Sequence, residues 1–388
     1  MKKRILLLLL LLLLISFGIY TFYDGIEYNN TNDVVEEKIP VISSDEVKNS
    51  IFKDGYQKAQ ELIQNMTLEE KVGQLFLVRY DKSLVESYNN YYPGGYILFA
   101  KDFENHTKES IKEEIANDQK QAKYPLIMGV DEEGGFVTRI SRFSEFRSEK
   151  FSSPREYYLE GGYDKIEETE REKAQLLKEI GINLNLAPVA DVSVNPEDFI
   201  YNRTFGEDAK KTSEFISFVT KIWREEGVNA CLKHFPGYGN NVDTHTGVAI
   251  DGRSLEEFQK NDFLPFEAGI KEKVPVILVS HNVMKAIDEE VPASLSSKVI
   301  GELRNNLKFS GIVVTDDLAM DAVKAYVEGG EAATRAIKAG IDMIITSDFP
   351  TMYQEVLNAI ENGEIKEEVI NTAVLRVLAW KYNSKLFE

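Results

Sequence analysis

The stretch that decides the fold is residues 228–237, VNACLKHFPG. Its first half is a short apolar run, which is typical of a strand that is buried on both faces in a parallel sheet. Its second half places Lys233 and His234, followed by a proline and a glycine, where the run ends. In parallel α/β folds the functional side chains collect at the carboxyl ends of the strands. The stretch therefore predicts a central strand that ends in a functional site.

The same pattern repeats along the chain. Apolar runs alternate with longer amphipathic segments, such as residues 110–122, 165–180, 213–226, 255–270 and 331–339. The runs cover residues 72–78, 95–99, 125–130, 182–186, 230–234, 274–281, 312–315 and 343–346. About eight strand–helix repeats predict an α/β fold, a TIM (β/α)8 barrel that forms a single catalytic domain. An open, doubly wound sheet is the alternative, because periodicity alone does not exclude it.

Composition narrows the class of protein. The 388 residues are 43% hydrophobic, which is enough for a large core, and the formal net charge is −19. An acidic chain of this kind argues against a nucleic-acid partner, because phosphate binding needs clustered lysine and arginine. Cys231 is the only cysteine, so no disulfide and no cysteine-based zinc site forms within the chain. Its apolar neighbours indicate a buried small hydrophobe.

The N-terminus carries a topogenic signal. Lys2, Lys3 and Arg4 precede an apolar run over residues 5–23, and this charge order predicts export of the rest of the chain. The run is close to the roughly 20 residues that span a bilayer, and Ser16 and Gly18 form a poor cleavage site. We expect an uncleaved membrane anchor at residues 1–23, with a cleaved signal peptide as the alternative. Residues 24–50 are predicted to be a polar linker, and residues 51–388 the extracytoplasmic barrel domain.

Polar side chains follow several of the predicted strands. The third run ends in Asp131-Glu132-Glu133-Gly134-Gly135, the fourth leads to Asp191, the sixth ends at His281, and the seventh ends at Asp316-Asp317. Each has an ordinary interpretation; Asp317, for example, suits the N-cap of the next helix. Three of the four histidines, however, fall at or just after such ends, and this joint placement favours a site.

These residue types suit glycoside cleavage. The reaction needs a carboxylate and a proton donor on opposite sides of the anomeric carbon. An aspartate at a strand end is held rigidly and can serve as nucleophile or ion stabiliser. Asp243-Thr244-His245, in a segment rich in glycine and asparagine, offers the proton donor. A neighbouring aspartate fixes the histidine tautomer and raises the histidine pKa.

Four ordered motifs resemble family 3 glycoside hydrolases, in particular the bacterial β-N-acetylhexosaminidase branch. Lys233-His234-Phe235-Pro236-Gly237 with Asp243-Thr244-His245 is similar to that branch's Lys-His-Phe-Pro-Gly…Asp-Ser-His signature. The other three are residues 131–135 with Arg139, residues 202–206 around Arg203, and residues 315–320 around Asp316. The resemblance covers about residues 54–387. Thr244 in place of serine and Glu132 in place of glutamine depart from the pattern.

The resemblance implies a role for each matched residue. Asp316 is the expected nucleophile, His245 the general acid/base and Asp243 its partner. The terminal N-acetylglucosamine is expected to bind to Asp131, Arg139, Arg203, Lys233 and His234. His281 and Asp191 are expected near the site from their strand positions. A metal site from His234, His245, Asp131 and Asp191 is the less favoured interpretation, so neither metal nor cofactor is expected.

The expected activity is retaining hydrolysis of terminal, non-reducing β-linked N-acetylglucosamine from peptidoglycan fragments, by a monomer whose partners are carbohydrate and, through the N-terminal helix, the membrane. Phosphorolysis at the same site is the alternative activity, since a histidine repels phosphate less than a glutamate would. An alternative of another class is a non-catalytic surface protein that binds carbohydrate.

Overall fold

The structure is a computed structural model that describes residues 44–239, 249–327 and 330–388. All of these residues fall in one compact unit, residues 41–388. The predicted anchor at residues 1–23 lies outside the described residues, as do Asp243 and His245. No helix in the described ranges is long and apolar enough to cross a membrane.

Eight parallel strands form the central sheet. In chain order they are β1 (Phe76–Arg79), β2 (Gly95–Leu98), β3 (Ile127–Val130), β4 (Leu184–Asn185), β5 (Asn229–Phe235), β7 (Val276–Val279), β9 (Ile312–Thr315) and β10 (Ile344–Thr346). Their order in the sheet is β10, β1, β2, β3, β4, β5, β7, β9. An isolated parallel bridge between Val314 and Met343 links β9 to the chain just before β10, so the sheet is a nearly closed barrel.

A second sheet has two short parallel strands, β6 (Ile250–Asp251) and β8 (Val283–Met284). It lies beyond the carboxyl ends of β5 and β7 in the sequence. The amide of Val283 donates a hydrogen bond of 2.8 Å to the carbonyl of Ala249. This hydrogen bond places residue 249, the first described residue after the segment 240–248, beside β8.

Helices separate the strands of the barrel. The longer ones are Lys53–Ile63, Lys108–Gln121, Pro154–Glu179, Ala209–Glu226, Phe263–Lys271, Ala332–Ala339, Phe349–Glu361 and Glu367–Asn383. Shorter α-helices are Ser44–Asn49, Leu68–Gly73, Val85–Tyr88, Leu255–Lys260, Ser297–Gly301 and Asp321–Lys324. Short 3-10 turns occur at Asn89–Tyr91, Ala100–Asp102, Tyr201–Arg203 and Ala293–Leu295, and a π turn at Glu302–Asn306.

The helix before β5 shows how local sequence sets the boundaries. The Asp208 carboxylate accepts a hydrogen bond of 2.9 Å from the amide of Lys211 and so caps the helix Ala209–Glu226. Such a cap stabilises a helix by about 1 kcal/mol. Gly227 ends the helix at φ 76°, in the left-handed region that favours glycine. The chain then enters β5, where Cys231 and Leu232 are fully buried.

The alternating pattern predicted the α/β fold correctly, and each of the eight apolar runs overlaps one strand. The strand predicted from the first run, residues 72–78, begins too early, because residues 72 and 73 are the last residues of the helix Leu68–Gly73. Thr67 and Glu70 form a capping box that begins this helix. The helix predicted over residues 255–270 is two helices, which meet at Asn261 and Asp262. Burial of Cys231 is confirmed.

The stretch predicted to be linker overlaps the described structure. The helix Ser44–Asn49 falls within it, and Glu46 of this helix forms an ion pair with Arg376 of the C-terminal helix. The same arginine donates to Asp342, immediately before β10, at 2.9 Å. The described chain therefore makes its first contact with the barrel before residue 50.

A buried lysine makes stability depend on pH. Lys381 of the C-terminal helix is fully buried and donates to the side-chain oxygen of Gln74 at 2.7 Å. Burial lowers the pKa of Lys381 to about 7 from an ordinary value of 10.5. Between these two values the unfolded chain binds more protons than the folded chain. The contribution of Lys381 to the free energy of unfolding therefore rises with pH across this window.

Lys381→Met should flatten that dependence. We expect the slope of unfolding free energy against pH, measured by urea denaturation from pH 7 to 10, to fall by up to about 1.4 kcal/mol per pH unit. The exposed Lys338, substituted in the same way, is the control and should leave the slope unchanged. Equal slopes for Lys381→Met and the parent protein would contradict the assignment.

Candidate active site

A cavity of about 320 Å³ opens at the carboxyl ends of the barrel strands. Its wall has apolar parts, including Phe99 after β2 and Met320 after β9. Its charged and ionisable lining comes from four separate stretches of chain: Asp131, Glu133, Arg139, Arg203, Lys233, His234, Asp316 and Asp317. The barrel thus brings together residues that lie up to 186 positions apart, Asp131 and Asp317.

Glu133 is the centre of a buried ionic cluster with Arg203 and Lys233. Arg203 binds its carboxylate in a bidentate manner, at 3.0 Å and 2.7 Å, and Lys233 approaches one of the same oxygens at 2.6 Å. Burial alone would raise the pKa of Glu133. The charges of Arg203 and Lys233 outweigh burial and hold its pKa well below the usual range. Glu133 is therefore an anion that keeps both cations in place.

Lys233 also binds Asp131, whose Oδ1 lies 2.6 Å from the lysine Nζ. Only 3% of the Lys233 side chain is exposed. Burial alone would lower the pKa of this lysine, but Asp131 and Glu133 raise it above the usual range. The ammonium group thus stays charged and offers a fixed donor at the base of the cavity.

His234 is oriented from both sides. The guanidinium of Arg203 lies 3.2 Å from Nε2, so Nε2 acts as the acceptor because arginine only donates. Nδ1 then carries the proton and donates to Asp191 at 2.7 Å. The other oxygen of Asp191 accepts a hydrogen bond of 2.7 Å from the amide of Tyr238. Asp191 therefore links His234 to the chain that leaves β5.

Arg139 keeps unused hydrogen-bonding capacity. Its guanidinium lies 3.8 Å from Asp131, and its Nε is buried without a hydrogen-bond partner in the described part of the chain. The centre of the Phe99 ring lies 5.2 Å from this guanidinium and 3.9 Å from the guanidinium of Arg79. Because a buried donor without a partner is unfavourable, Arg139 is suited to bind an oxygen of a ligand in the cavity.

Glu132 holds the segment that carries Arg139. Its Oε2 accepts hydrogen bonds of 2.8 Å from the amides of Arg139 and Ile140, and its Oε1 accepts one of 2.5 Å from Ser141. The side chain of Asn185 in β4 bonds both the amide and the carbonyl of Glu132. Glu132 and Glu133 were quoted in a motif but not predicted as site residues. In the sequence they appear as two carboxylates at a strand end, and this pattern is too general to assign a role to either residue.

Asp316 lines the cavity directly after β9. Its amide donates a hydrogen bond of 3.1 Å to the carbonyl of Val279 in β7, and its Oδ1 accepts a hydrogen bond of 2.9 Å from the amide of Asp317. The carboxylate of Asp317 instead accepts from the amides of Ala319 and Ser347. The prediction that Asp317 is a helix N-cap is wrong, because the next helix begins only at residue 321.

His281 lies beside Asp317. Its Nε2 is 3.1 Å from the Asp317 carbonyl, and Nδ1 is 2.8 Å from the hydroxyl of Ser294. Since a carbonyl only accepts, Nε2 donates. His281 thus contacts Asp317, and Asp191 contacts His234; both Asp317 and His234 line the cavity.

The structure brings six of the predicted site residues around one cavity: Asp131, Arg139, Arg203, Lys233, His234 and Asp316. Asp243 and His245 lie outside the described residues. Within the described ranges no three His, Cys, Asp or Glu side chains are arranged to hold a metal ion.

Comparison with known proteins decides the family. The profile of the glycosyl hydrolase family 3 N-terminal domain matches residues 67–380. The chain belongs to glycosyl hydrolase family 3. The match covers all eight barrel strands and every residue that we place around the cavity.

Three similar proteins have names that refer to hexosaminidase or N-acetylglucosaminidase activity. A β-hexosaminidase from Nitrosomonas eutropha is 30% identical over 274 residues, covering 69% of this chain and 77% of the relative. β-Hexosaminidase A from Pseudoalteromonas piscicida is 28% identical over 77% of this chain, which spans only 54% of that relative. A family 3 β-N-acetylglucosaminidase structure from Paenibacillus sp. strain FPU-7 is 28% identical, with a TM-score of 0.77, over 83% of this chain and 64% of its own.

Glu133→Gln tests the buried ionic cluster. Glutamine keeps the shape but leaves Arg203 and Lys233 without their shared anion, so we expect the free energy of unfolding to fall by about 3 kcal/mol. Chemical denaturation measures the change. The same substitution at Glu225, whose pair with Arg171 is exposed, should have no measurable effect. Equal effects at the two positions would contradict the importance of burial.

Proposed function

We propose that this protein is a retaining glycosidase that removes terminal, non-reducing β-linked N-acetylglucosamine. The observation that carries the proposal is that Asp316 lines the same cavity as five sugar-binding candidates. At about 320 Å³ the cavity lies at the small end of ligand pockets, which suits one sugar ring better than an oligosaccharide. The β-hexosaminidase names of the relatives support the same substrate class.

The mechanism has two displacements. The Asp316 carboxylate attacks the anomeric carbon as His245 donates a proton to the glycosidic oxygen, which releases the aglycone and leaves a glycosyl-enzyme ester. His245 then accepts a proton from water as the water attacks the same carbon, and the Asp316 carboxylate leaves. Asp243 orients His245 and stabilises its charged form. The sugar keeps its β configuration, because it is inverted twice.

The charged residues hold the terminal sugar through its hydroxyl groups. Lys233, Arg203 and Arg139 are fixed donors, and Asp131 is an acceptor. Because ion pairs already hold Lys233, Arg203 and Asp131 in place, little reorganisation of these three groups is needed when the sugar binds. Arg139 gains the partner that its Nε lacks in the described structure.

The cellular setting is also part of the proposal. A membrane anchor at residues 1–23 and a polar linker that ends before the helix Ser44–Asn49 place the enzyme outside the cytoplasm, where peptidoglycan fragments supply the substrate. We take the nearly closed sheet to be the predicted TIM barrel, spanning residues 51–388, and the protein to be a monomer that needs no cofactor.

Turnover of p-nitrophenyl β-N-acetylglucosaminide by residues 44–388 tests the activity. Asp316→Ala should lower kcat at least about 1,000-fold, since it removes the nucleophile, and His245→Ala should lower kcat/KM by roughly 100-fold or more. Asp321→Ala, an exposed aspartate five residues beyond the nucleophile, is the control and should stay active. Proton NMR should show the β-anomer of N-acetylglucosamine as the first product.

Three outcomes would overturn parts of this assignment. Full activity in Asp316→Ala would show that Asp316 is not the nucleophile. An α-anomer as the first product would show that the enzyme does not retain the anomeric configuration. Binding of N-acetylglucosamine without turnover of any glycoside would instead favour the non-catalytic carbohydrate-binding protein.

Phosphorolysis is the second candidate, and the Asp243-Thr244-His245 motif favours it, because histidine tolerates an incoming phosphate better than glutamate does. If phosphate is the acceptor, adding about 10 mM inorganic phosphate, well above common KM values, should raise the rate and yield N-acetylglucosamine 1-phosphate. We expect hydrolysis to dominate, with no rate gain and no sugar phosphate. A sugar phosphate as the main product would reverse the assignment.

A further inference from the structure

Arg253 lies just after β6, and its guanidinium is surrounded by two carboxylates. Nε lies 3.1 Å from both oxygens of Asp251, and Nη2 lies 2.8 Å from one of them. Nη1 donates to Asp262 at 2.8 Å. Both aspartates are buried, and only 21% of the Arg253 side chain is exposed. Arginine suits such a site because its planar fork binds two anions in fixed directions.

The same guanidinium holds the chain that leaves β5. Nη2 lies 3.4 Å from the carbonyl of Gly237. A Cβ added at Gly239 would lie only 2.5 Å from the guanidinium carbon of Arg253, and one at Gly237 only 2.4 Å from Asp262. Both glycines have positive φ, 54° at Gly239 and 120° at Gly237. The backbone therefore packs directly against the Arg253–Asp262 pair, with no room for side chains.

Arg253 also holds the chain beyond residue 248. Its partner Asp251 belongs to β6, which pairs with β8, and the Asp251 carbonyl accepts a hydrogen bond of 3.0 Å from the amide of Lys285. One guanidinium thus contacts the residues on both sides of the nine-residue segment 240–248. That segment contains Asp243 and His245.

We propose that Arg253 is a positioning residue for the proton-transfer pair Asp243–His245. This inference rests on the proposed glycosidase function. Joining the two ends of a segment removes conformations of the residues between them. Proton transfer to a leaving oxygen needs hydrogen-bond contact, and a displacement of about 1 Å costs about 100-fold in rate. Arg253 acts on catalysis through His245, since it is not among the described residues that line the cavity.

The leaving group distinguishes this role from a general loss of folding. A dinitrophenolate leaves without a proton, whereas the sugar alkoxide released from chitobiose needs one. In Arg253→Lys, which keeps the charge but loses the fork, we expect kcat/KM for chitobiose to fall at least about tenfold. With 2,4-dinitrophenyl β-N-acetylglucosaminide the fall should be less than about threefold, because proton donation contributes little there. The inhibition constant of N-acetylglucosamine should not change.

Azide provides a second measurement. This anion attacks a glycosyl-enzyme without needing a general base, so it should raise kcat of Arg253→Lys on the dinitrophenyl substrate and form β-N-acetylglucosaminyl azide. His245→Ala should show both signatures more strongly. Arg304→Lys is the matched control: Arg304 is a part-buried arginine that binds Asp342 and the carbonyl of Gly311 before β9, and its variant should show neither signature.

The outcomes separate this inference from the proposed function. If the parent protein cleaves neither substrate, the glycosidase proposal fails. If the parent is active and His245→Ala is selective for the leaving group, an equal loss on both substrates in Arg253→Lys overturns the positioning role. Should Arg253→Lys fail to fold, Asp251→Asn, which keeps its shape and loses one charge of the pair, provides the same comparison. No selectivity in a folded Asp251→Asn would also overturn it.

Discussion

The buried pairing of Glu133 with Arg203 and Lys233 is the interaction on which the site depends. The three residues come from the segment after β3, the 3-10 turn Tyr201–Arg203 beyond β4, and the end of β5. Removing these charges from water carries a large desolvation penalty, which bidentate geometry and close contact offset. That offset requires three neighbouring strands in the correct register. The cluster therefore links the packing of the barrel to the shape of the cavity.

A second chain of contacts runs outward from this cluster. Arg203 orients His234, His234 donates to Asp191, and Asp191 accepts from the amide of Tyr238. Tyr238 stands between Gly237 and Gly239, which pack against the Arg253 pair. The lining of the cavity and the residues just before the segment 240–248 thus share one set of polar contacts. Small displacements at one end are expected to reach the other, because buried polar networks are rigid when every member is paired.

Much of the fold could be read from residue order. Most barrel strands consist mainly of buried apolar residues, and a strand covered on both faces requires such residues. The exact ends of the helices and strands were harder to predict. The start of the first apolar run is helical, because the capping box at Thr67 and Glu70 begins a helix there. The helix predicted over residues 255–270 is interrupted at Asn261 and Asp262. Local hydrogen bonds decided these positions, and hydrophobic periodicity does not record them.

The amino-acid sequence alone predicted the strand ends, and through its resemblance to family 3 it grouped Asp316, Lys233, His234, Asp131, Arg139 and Arg203 as one set, because functional side chains collect at the carboxyl ends of parallel strands. It did not reveal Glu133 as the shared anion or Arg253 as the contact between two distant stretches. Those roles arise from distances between side chains far apart in the chain. Only the folded barrel sets these distances, because hydrogen bonds and ion pairs depend on contact in space rather than on order in sequence.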